Sequence, residues 1–358
     1  MTTQIMQAQI VVACAQFDET FAALTDELGF RVETIFPADA PTSAVISGHG
    51  VTLRLEAVST VPLGTPVALR LITHQPPLDI RVPDLSIEWV HRDSTLIIPE
   101  GKQEFIISRN DDNEAWTVGR AGMQYRDLIP GRFGGRFIAS HIRIQEGGPV
   151  PDYVHFHRVR FQMIFCKSGW VRVVYEGQGE SFVMQAGDCV LQPPQIRHRV
   201  LESSAGLEVI ELGCPAVHET HADYQMVLPT QLHEPTRSFD GQRFVRHSAA
   251  DAVWQPWKWL GSDATGFEVR DTGINTATAG LASARVVRGT AGGITVPASH
   301  NGELVFVFVL NGAMQLHGEV IGQHELHEGD CATIPAGHIV SLRMPIQVEF
   351  LEVQLPAM

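Results

Sequence analysis

The sequence predicts a mainly β protein: two copies of one β unit, a sandwich or a barrel, behind a small α+β module of order β-α-β-β-β. Three observations predict it. From about residue 115 onward the apolar runs are short, of strand length, and closed by Gly, Pro, Asn or Asp. Within that part four landmarks recur at nearly constant spacing. Arg126-Asp127 returns as Arg270-Asp271 after 144 residues, Gly147-Gly148 as Gly292-Gly293 after 145, Gly169 as Gly312 after 143, and Gly187-Asp188-Cys189 as Gly329-Asp330-Cys331 after 142. Two copies of a unit of about 100 residues produce such a series. Third, clear helical periodicity is confined to the start of the chain.

The first element is the apolar, β-branched run Gln9 to Ala15. In the segment that follows, Phe17, Phe21, Leu24 and Leu28 fall at i, i+4, i+7 and i+11, the stripe of a helix packed on one side. Asp18 and Glu19 suit its first turn, and Gly29 suits its C′ stop. RVETIF, TSAVISG and VTLRLEAV then read as three strands. The expected division is a module over 1–85, a linker over 86–114, the first barrel over 115–215, an interbarrel connection over 216–258 and the second barrel over 259–358. The connection carries VWQPWKWL, whose Trp254, Trp257 and Trp259 are read as packing between barrels or as a dimer contact.

Composition sets the partners. Of 358 residues, 44% are hydrophobic and 18% charged, which excludes a disordered chain and a charge-laced coiled coil. The net charge of −14 leaves no basic field for phosphates, so no nucleic acid and no membrane partner is expected. No apolar run approaches the length of a bilayer span, and the N-terminus lacks the pattern of a signal peptide. Five scattered cysteines with no CxxC pair read as reduced thiols of a cytoplasmic protein. A small-molecule substrate and a homodimer are expected.

The β-α-β-β-β order, with the helix ending in Leu28-Gly29-Phe30, resembles one module of the vicinal oxygen chelate (glyoxalase-like) family. The resemblance places family ligand positions at Gln9 and Glu56. A site of that family needs two modules and the sequence has one, so packing or dimerisation is the plainer role.

Chemistry concentrates in the first barrel unit. His155 and His157 alternate around Phe156 on a strand-like run, which puts both imidazoles on one face. His198 follows a Pro193-Pro194 turn on a later strand. Three neutral imidazoles converging inside a barrel suit Fe(II), Mn(II), Ni(II), Cu(II) or Zn(II). The spacing Gly148-x6-His155-x-His157-x4-Gln162-x6-Gly169, then Gly187-x5-Pro193-x4-His198, resembles the cupin superfamily motifs G-x5-HxH-x3-4-E-x6-G and G-x5-PxG-x2-H. The chain thus resembles a bicupin, two double-stranded β-helix (jelly-roll) barrels. The resemblance implies that His155, His157 and His198 hold one divalent transition metal. Gln162 stands where the family has a glutamate, and Gln195 where it has a glycine.

In the second unit the matching positions are Ala298, His300, Val305 and Val340, so one ligand of four survives. His338 and Glu303 lie two residues out of register, about 7 Å along a strand, too far for a bond of about 2.1 Å. That barrel is expected to be metal-free and to complete the core or shape an interface.

Gln162 leaves a three-histidine divalent site at +2, where a glutamate would reduce it to +1. It is expected either to be a fourth ligand or to orient substrate or O2. With three positions open, such a site accepts a bidentate oxygen chelate and O2. The resemblance to three-histidine cupins implies a non-haem Fe(II) dioxygenase for a hydroxylated aromatic acid or diketone. Two alternatives stand beside it: a Zn(II), Mn(II) or Ni(II) isomerase, epimerase or lyase, and a small-ligand-binding cupin without turnover. Further candidates are Glu211 as a base, Arg143 as a fork for a substrate carboxylate, and Tyr153 and Arg160 as barrel lining. Arg126-Asp127 and Arg270-Asp271 read as a strut shared by the barrels, the His218–His221 pair as a solvated loop, and Cys166 and Cys189 as buried inert thiols.

Overall fold

The computed structural model describes residues 5–48, 50–60, 68–73, 86–91, 96–110, 116–345 and 347–356. The rest of the polar run at 108–114 lies outside them. The chain starts with β1 (Ile5–Cys14), the helix α1 (Phe17–Ala22), β2 (Arg31–Phe36), β3 (Ser43–Gly48) and β4 (Val51–Ala57), paired in the order β2-β3-β4-β1 with β1 and β4 parallel. Phe17, Val32, Ile46 and Leu55 form the core beneath this sheet, with Phe21 and Leu24 against it. The helical stripe breaks at Leu28. Ala23–Glu27 is a π-helical turn, and the extra residue it inserts rotates Leu28 out to 57% exposure. Gly29, at φ +71°, stops the helix where the sequence expects it. Beyond β1 the sheet continues through β5 (Ala68–Thr73) and β6 (Ser86–His91), so the first residues of the expected linker belong to the module's sheet. The next strand, β7 (Ile106–Ser108), leaves the module altogether.

Barrel 1 is built from β8 (Gln124–Asp127), β9 (Ile138–Ile144), β10 (His155–His157), β11 (Phe161–Ser168), β12 (Trp170–Tyr175), β13 (Cys189–Leu191), β14 (His198–Ser203), β15 (Leu207–Cys214) and β16 (Thr220–Ala222). One wall runs β12-β14-β10-β16 and the other β13-β11-β15-β9-β8. The first wall does not end at the barrel. Thr220 and His221 on β16 pair with Ile35 and Thr34 on β2, so the module's sheet and the barrel's sheet are one surface. Alternation fixes the interior: on β9, Ile142 and Ile144 face inward.

Then come β17 (Val245–His247), β18 (Gln255–Trp259), β19 (Ser262–Asp271), β20 (Ser283–Gly289), β21 (Leu304–Asn311), β22 (Ala313–Gly318), β23 (Cys331–Thr333), β24 (Ser341–Met344) and β25 (Glu349–Leu355). Barrel 2 has walls β18-β19-β20-β25-β21-β23 and β22-β24. Trp257 and Trp259 are buried inside it in one cluster with Val305, Val307 and Phe350, not between the barrels, whereas Trp254 packs against the layer between the barrels as the sequence suggested. Burial can be read from an indole-rich run; which core receives it cannot. Between the barrels lies a separate apolar layer to which both contribute, including Phe161, Phe165 and Leu212 with Phe306, Phe308 and Leu351.

The barrels are tied by reciprocal contacts. β7 precedes barrel 1 yet pairs with β23 of barrel 2, Ser108 opposite Cys331. β17 precedes barrel 2 yet pairs with β13 of barrel 1, His247 opposite Cys189. Arg126 donates to Gly329 O at 2.7 Å, and Arg270 donates to Gly187 O at 2.9 Å. Asp330 and Asp188 accept from the backbone N–H of Asn110 at 2.7 Å and of Ala249 at 2.8 Å. The repeated arginines are therefore the strut that the repeat implied.

Glu303 adds an ion cluster between the barrels. It accepts from the two terminal nitrogens of Arg160 at 2.8 and 2.9 Å and from Arg136. Arg160 therefore serves this joint and not the barrel lining. Hydrogen bonding from Arg160, reinforced by Arg136, pulls the Glu303 carboxyl from 4.5 down to about 2. A lowered carboxyl stabilises the fold fully above its unfolded value and loses that contribution as pH falls through the folded value. Glu303→Gln is expected to flatten the loss of stability between pH 4.5 and 2, and to cost about 1 kcal/mol at neutral pH because solvent screens the cluster. Urea unfolding across that pH range checks it; an unchanged acid limb refutes it. Among the described residues no helix is long and apolar enough to cross a membrane.

Candidate metal centre

The three histidines predicted from spacing meet. His155 and His157 project from the inward face of β10, and β14 sets His198 directly opposite His155. All three are buried, and their candidate ligand nitrogens lie within 4.8 Å of one another. The turn before His198 places Gln195 at φ +63°, the left-handed geometry for which a glycine is the usual choice.

Hydrogen bonding fixes the ring tautomers. A carbonyl oxygen can only accept, so a ring nitrogen facing one carries the proton. His155 Nδ1 donates to Tyr153 O at 2.8 Å, His198 Nδ1 to Ile196 O at 3.0 Å, and His157 Nδ1 faces Glu219 O at 3.4 Å. Each Nε2 is left with its lone pair, the arrangement that outer partners impose on metal-binding histidines. Burial pushes His155 and His157 well below the usual imidazole range and His198 down to about 4, so all three are neutral near pH 7. The donor set fits a divalent transition metal. The lone pair of His155 faces Arg120 Nη2 at 3.1 Å and that of His198 faces Gln192 Nε2 at 2.9 Å, so both donors stand beside the triad.

The triad lies at the polar end of a cavity of about 90 Å³, whose remaining wall includes Ile142, Ile164, Val173, Met184, Leu207 and Val209. Gln162 and Glu211 also face it, joined by Gln162 Nε2 donating to Glu211 Oε1 at 2.8 Å. Burial raises the Glu211 carboxyl above its ordinary value, against the bond from Gln162. This side of the cavity therefore offers a carboxyl that can hold a proton.

Other candidates fall elsewhere. Arg143 points away from the cavity. It donates to Gln124 Oε1 at 2.7 Å and covers the Trp116 ring at 3.9 Å, because it alternates with Ile142 and Ile144 on β9. The expected carboxylate fork is absent from that position; a one-residue change of facing separates the two outcomes. Tyr153 packs edge-on against His155, ring centroids 5.9 Å apart, and does not line the cavity. The His218–His221 pair is not a solvated loop: His218 stands against His157, centroids 5.2 Å apart, and His221 on β16 stacks on Phe156 at 5.0 Å. Cys166 and Cys189 are buried, and burial raises both thiols, Cys166 to about 12. In the module, Glu56 is paired with Arg54, and its strand partner is Ala13. Gln9 lies four residues along β1 from Ala13, about 13 Å, so the two glyoxalase-like positions do not converge.

Sequence reasoning missed Arg120, Asp152 and Gln192. Arg120 bonds Asp152 as well as His155, and Asp152 in turn accepts from the N–H groups of Tyr153 and Val200, both at 2.9 Å. Arg120 sits in an irregular turn beside Ala121 at φ +55°, where no periodicity marks it.

In barrel 2 the register confirms the decay. Ala298 bridges Val340 as His155 pairs with His198. His300 spends both nitrogens on backbone, Nε2 donating to Ile334 O at 2.7 Å and Nδ1 accepting from Gly302 N at 3.1 Å. Trp257 and Trp259 share the core of this barrel with Val340 and Ala298, Trp259 donating its indole N–H to Val340 O at 2.9 Å.

No family model matches the chain, and no curated protein matches it in sequence. Solved structures do. Protein Ylba from E. coli is similar at 12% identity and a TM-score of 0.50, over 72% of this chain and 93% of that one. The oxalate decarboxylase of Lactobacillus farciminis, in complex with formate, matches at 12% identity and a TM-score of 0.51, over 72% of this chain and 88% of that one. A deletion mutant of the Bacillus subtilis oxalate decarboxylase matches at 12% and 0.50, over 72% and 78%. At such identity the likeness concerns the fold alone, and the fold is that of a β-rich jelly-roll bicupin.

Proposed function

We propose that the chain is a metal-dependent bicupin enzyme, a non-haem Fe(II) dioxygenase acting on a small oxygen-chelating molecule such as a hydroxylated aromatic acid or a diketone. The observation that carries this reading is the set of three buried, neutral imidazoles with Nδ1 turned to backbone oxygens and one candidate ligand nitrogen from each within 4.8 Å of the others. His155, His157 and His198 would hold the iron, which when bound supplies the one-electron chemistry that O2 requires. The chain's own residues do the rest. The cavity of about 90 Å³ admits a molecule of a few heavy atoms to a ring in size, and its aliphatic wall keeps bulk water from the polar end. Arg120, neutralised by Asp152, presents N–H groups beside the triad that suit a substrate oxygen. Gln162 orients Glu211, whose raised carboxyl is placed to take the proton of a chelating hydroxyl.

Glu211 also favours a second reading. A proton-holding carboxyl beside a Lewis-acidic ion serves an isomerase or lyase using Mn(II), Zn(II) or Ni(II) as well. Metal analysis of the purified protein and oxygen uptake separate the two. After anaerobic loading with Fe(II), oxygen consumption is expected with a catechol, a hydroxy acid or a diketone. Failure of all three classes, with one redox-inert ion retained per chain, would sink the dioxygenase and leave the second reading.

A further inference from the structure

The turn between β2 and β3 stands against the open end of barrel 1. The N–H of Arg120 donates to Ala38 O at 3.2 Å, and Asp39 Oδ2 pairs with Arg132 at 2.5 Å, which ties the turn to the barrel at two points. Between turn and barrel lies a second small cavity, bounded by Ala38, Asp39, Ser140, Glu211 and His218. Arg120, Tyr125, His157 and Glu211 line both this cavity and the triad pocket, so the two adjoin at the triad. Their chemistry differs: the triad pocket is mostly aliphatic, while the second cavity is edged by the Asp39 and Glu211 carboxyls, the Ser140 and Tyr125 hydroxyls, His157, His218 and the Arg120 guanidinium, which is paired with Asp152.

We infer that this second cavity is a subsite for the far end of the ligand, that it takes a hydrogen-bond donor, a hydroxyl or an amine, and that Ala38 and Asp39 of the N-terminal module set the length and end group accepted. The inference rests on the reading of barrel 1 as a metal site for an oxygen chelate. Arg132 engages Asp39 through Oδ2 and Gln162 engages Glu211 through Oε1, which leaves an oxygen of each carboxyl facing outward from those contacts. A donor placed there gains a charge-assisted bond, whereas a carboxylate end would meet two acids, the cation in the lining, Arg120, being already paired with Asp152. Ala38 contributes only a methyl group, so a larger side chain at that position would shorten the space.

The test is calorimetric binding to Zn(II)-loaded protein of catechol and four 4-substituted catechols bearing ethyl, 2-hydroxyethyl, 2-aminoethyl and carboxymethyl groups. The hydroxyethyl and aminoethyl compounds are expected to bind about tenfold tighter than the ethyl compound, and the carboxymethyl compound most weakly. Asp39→Asn should erase the preference for the amine. Ala38→Phe should weaken the extended compounds at least about tenfold relative to catechol. Identical affinities in wild type and both variants would overturn the subsite. If loaded protein binds catechol no better than metal-free protein, the metal reading fails separately. The subsite is then judged by the backbone amide shifts of Ala38 and Asp39 in metal-free protein titrated with 2-aminoethanol. Shifts lost on Asp39→Asn uphold it, and their absence in wild type overturns it.

Discussion

Replacing His157 by alanine is expected to reduce bound transition metal from one ion per chain to less than about a tenth, with affinity down more than about a hundredfold. Among the described residues the ring contributes one of three imidazole nitrogens at the centre, and the nearby Asp152 carboxylate is committed to Arg120 and to two backbone N–H groups. The fold should survive, because the hydrogen bond lost with the ring is the long one to Glu219 O, 3.4 Å. Elemental analysis beside circular dichroism checks both halves of this expectation. His300→Ala is the internal control: it removes the surviving histidine of barrel 2, whose two nitrogens bind backbone, and should leave metal content at one. A folded His157→Ala protein with a full complement of metal would show that the triad is not the site.

The second large effect is one of stability. Trp257→Ala is expected to destabilise the protein by about 3–5 kcal/mol, the range for truncating a large aromatic in a close-packed core. Trp257 is 1% exposed, packs on Trp259, Phe267 and Phe350, and donates its indole N–H to Glu352 Oε2 at 3.4 Å. Glu352 is itself fully buried and paired with Arg285 at 2.8 Å, so losing the indole also takes a partner from a desolvated carboxylate. Equilibrium urea unfolding measures the change. A loss below about 1 kcal/mol would mean that barrel 2 collapses onto the gap or already holds water, and that the tryptophans are not what fills it.

Parts of this molecule were legible before any coordinates, and the reason is local in each case. Gly187 and Gly329 recur because both turns need positive φ, +92° and +85°, and the following Asp188 and Asp330 recur because each accepts a backbone N–H from the other repeat's arm. The triad was legible because a strand's two-residue period puts His155 and His157 on one face whatever surrounds them. What stayed hidden depends on tertiary arrival. Arg120 reaches His155 from 35 residues away through an irregular turn, and Gln192 meets His198 across a proline turn. Arg143 shows how little separates success from failure, since its type suited the site and its facing did not. The apolar stripe of the helix broke for a similar reason: a single inserted residue in the π turn rotated Leu28 to solvent while Phe17, Phe21 and Leu24 kept their side.

The crossing of β7 and β17 governs how the chain can be made. A ribosome delivers residues 106–108 long before residues 331–333, so the segment that opens the first repeat has no edge to join until nearly the whole polypeptide has emerged. The wall of barrel 1 that ends at β13 likewise gains its last neighbour only once residues 245–247 are out. The apolar layer shared by the barrels likewise waits for the half that lacks the ligand set, and a protease cut in the connecting stretch would expose a bare strand edge on either product.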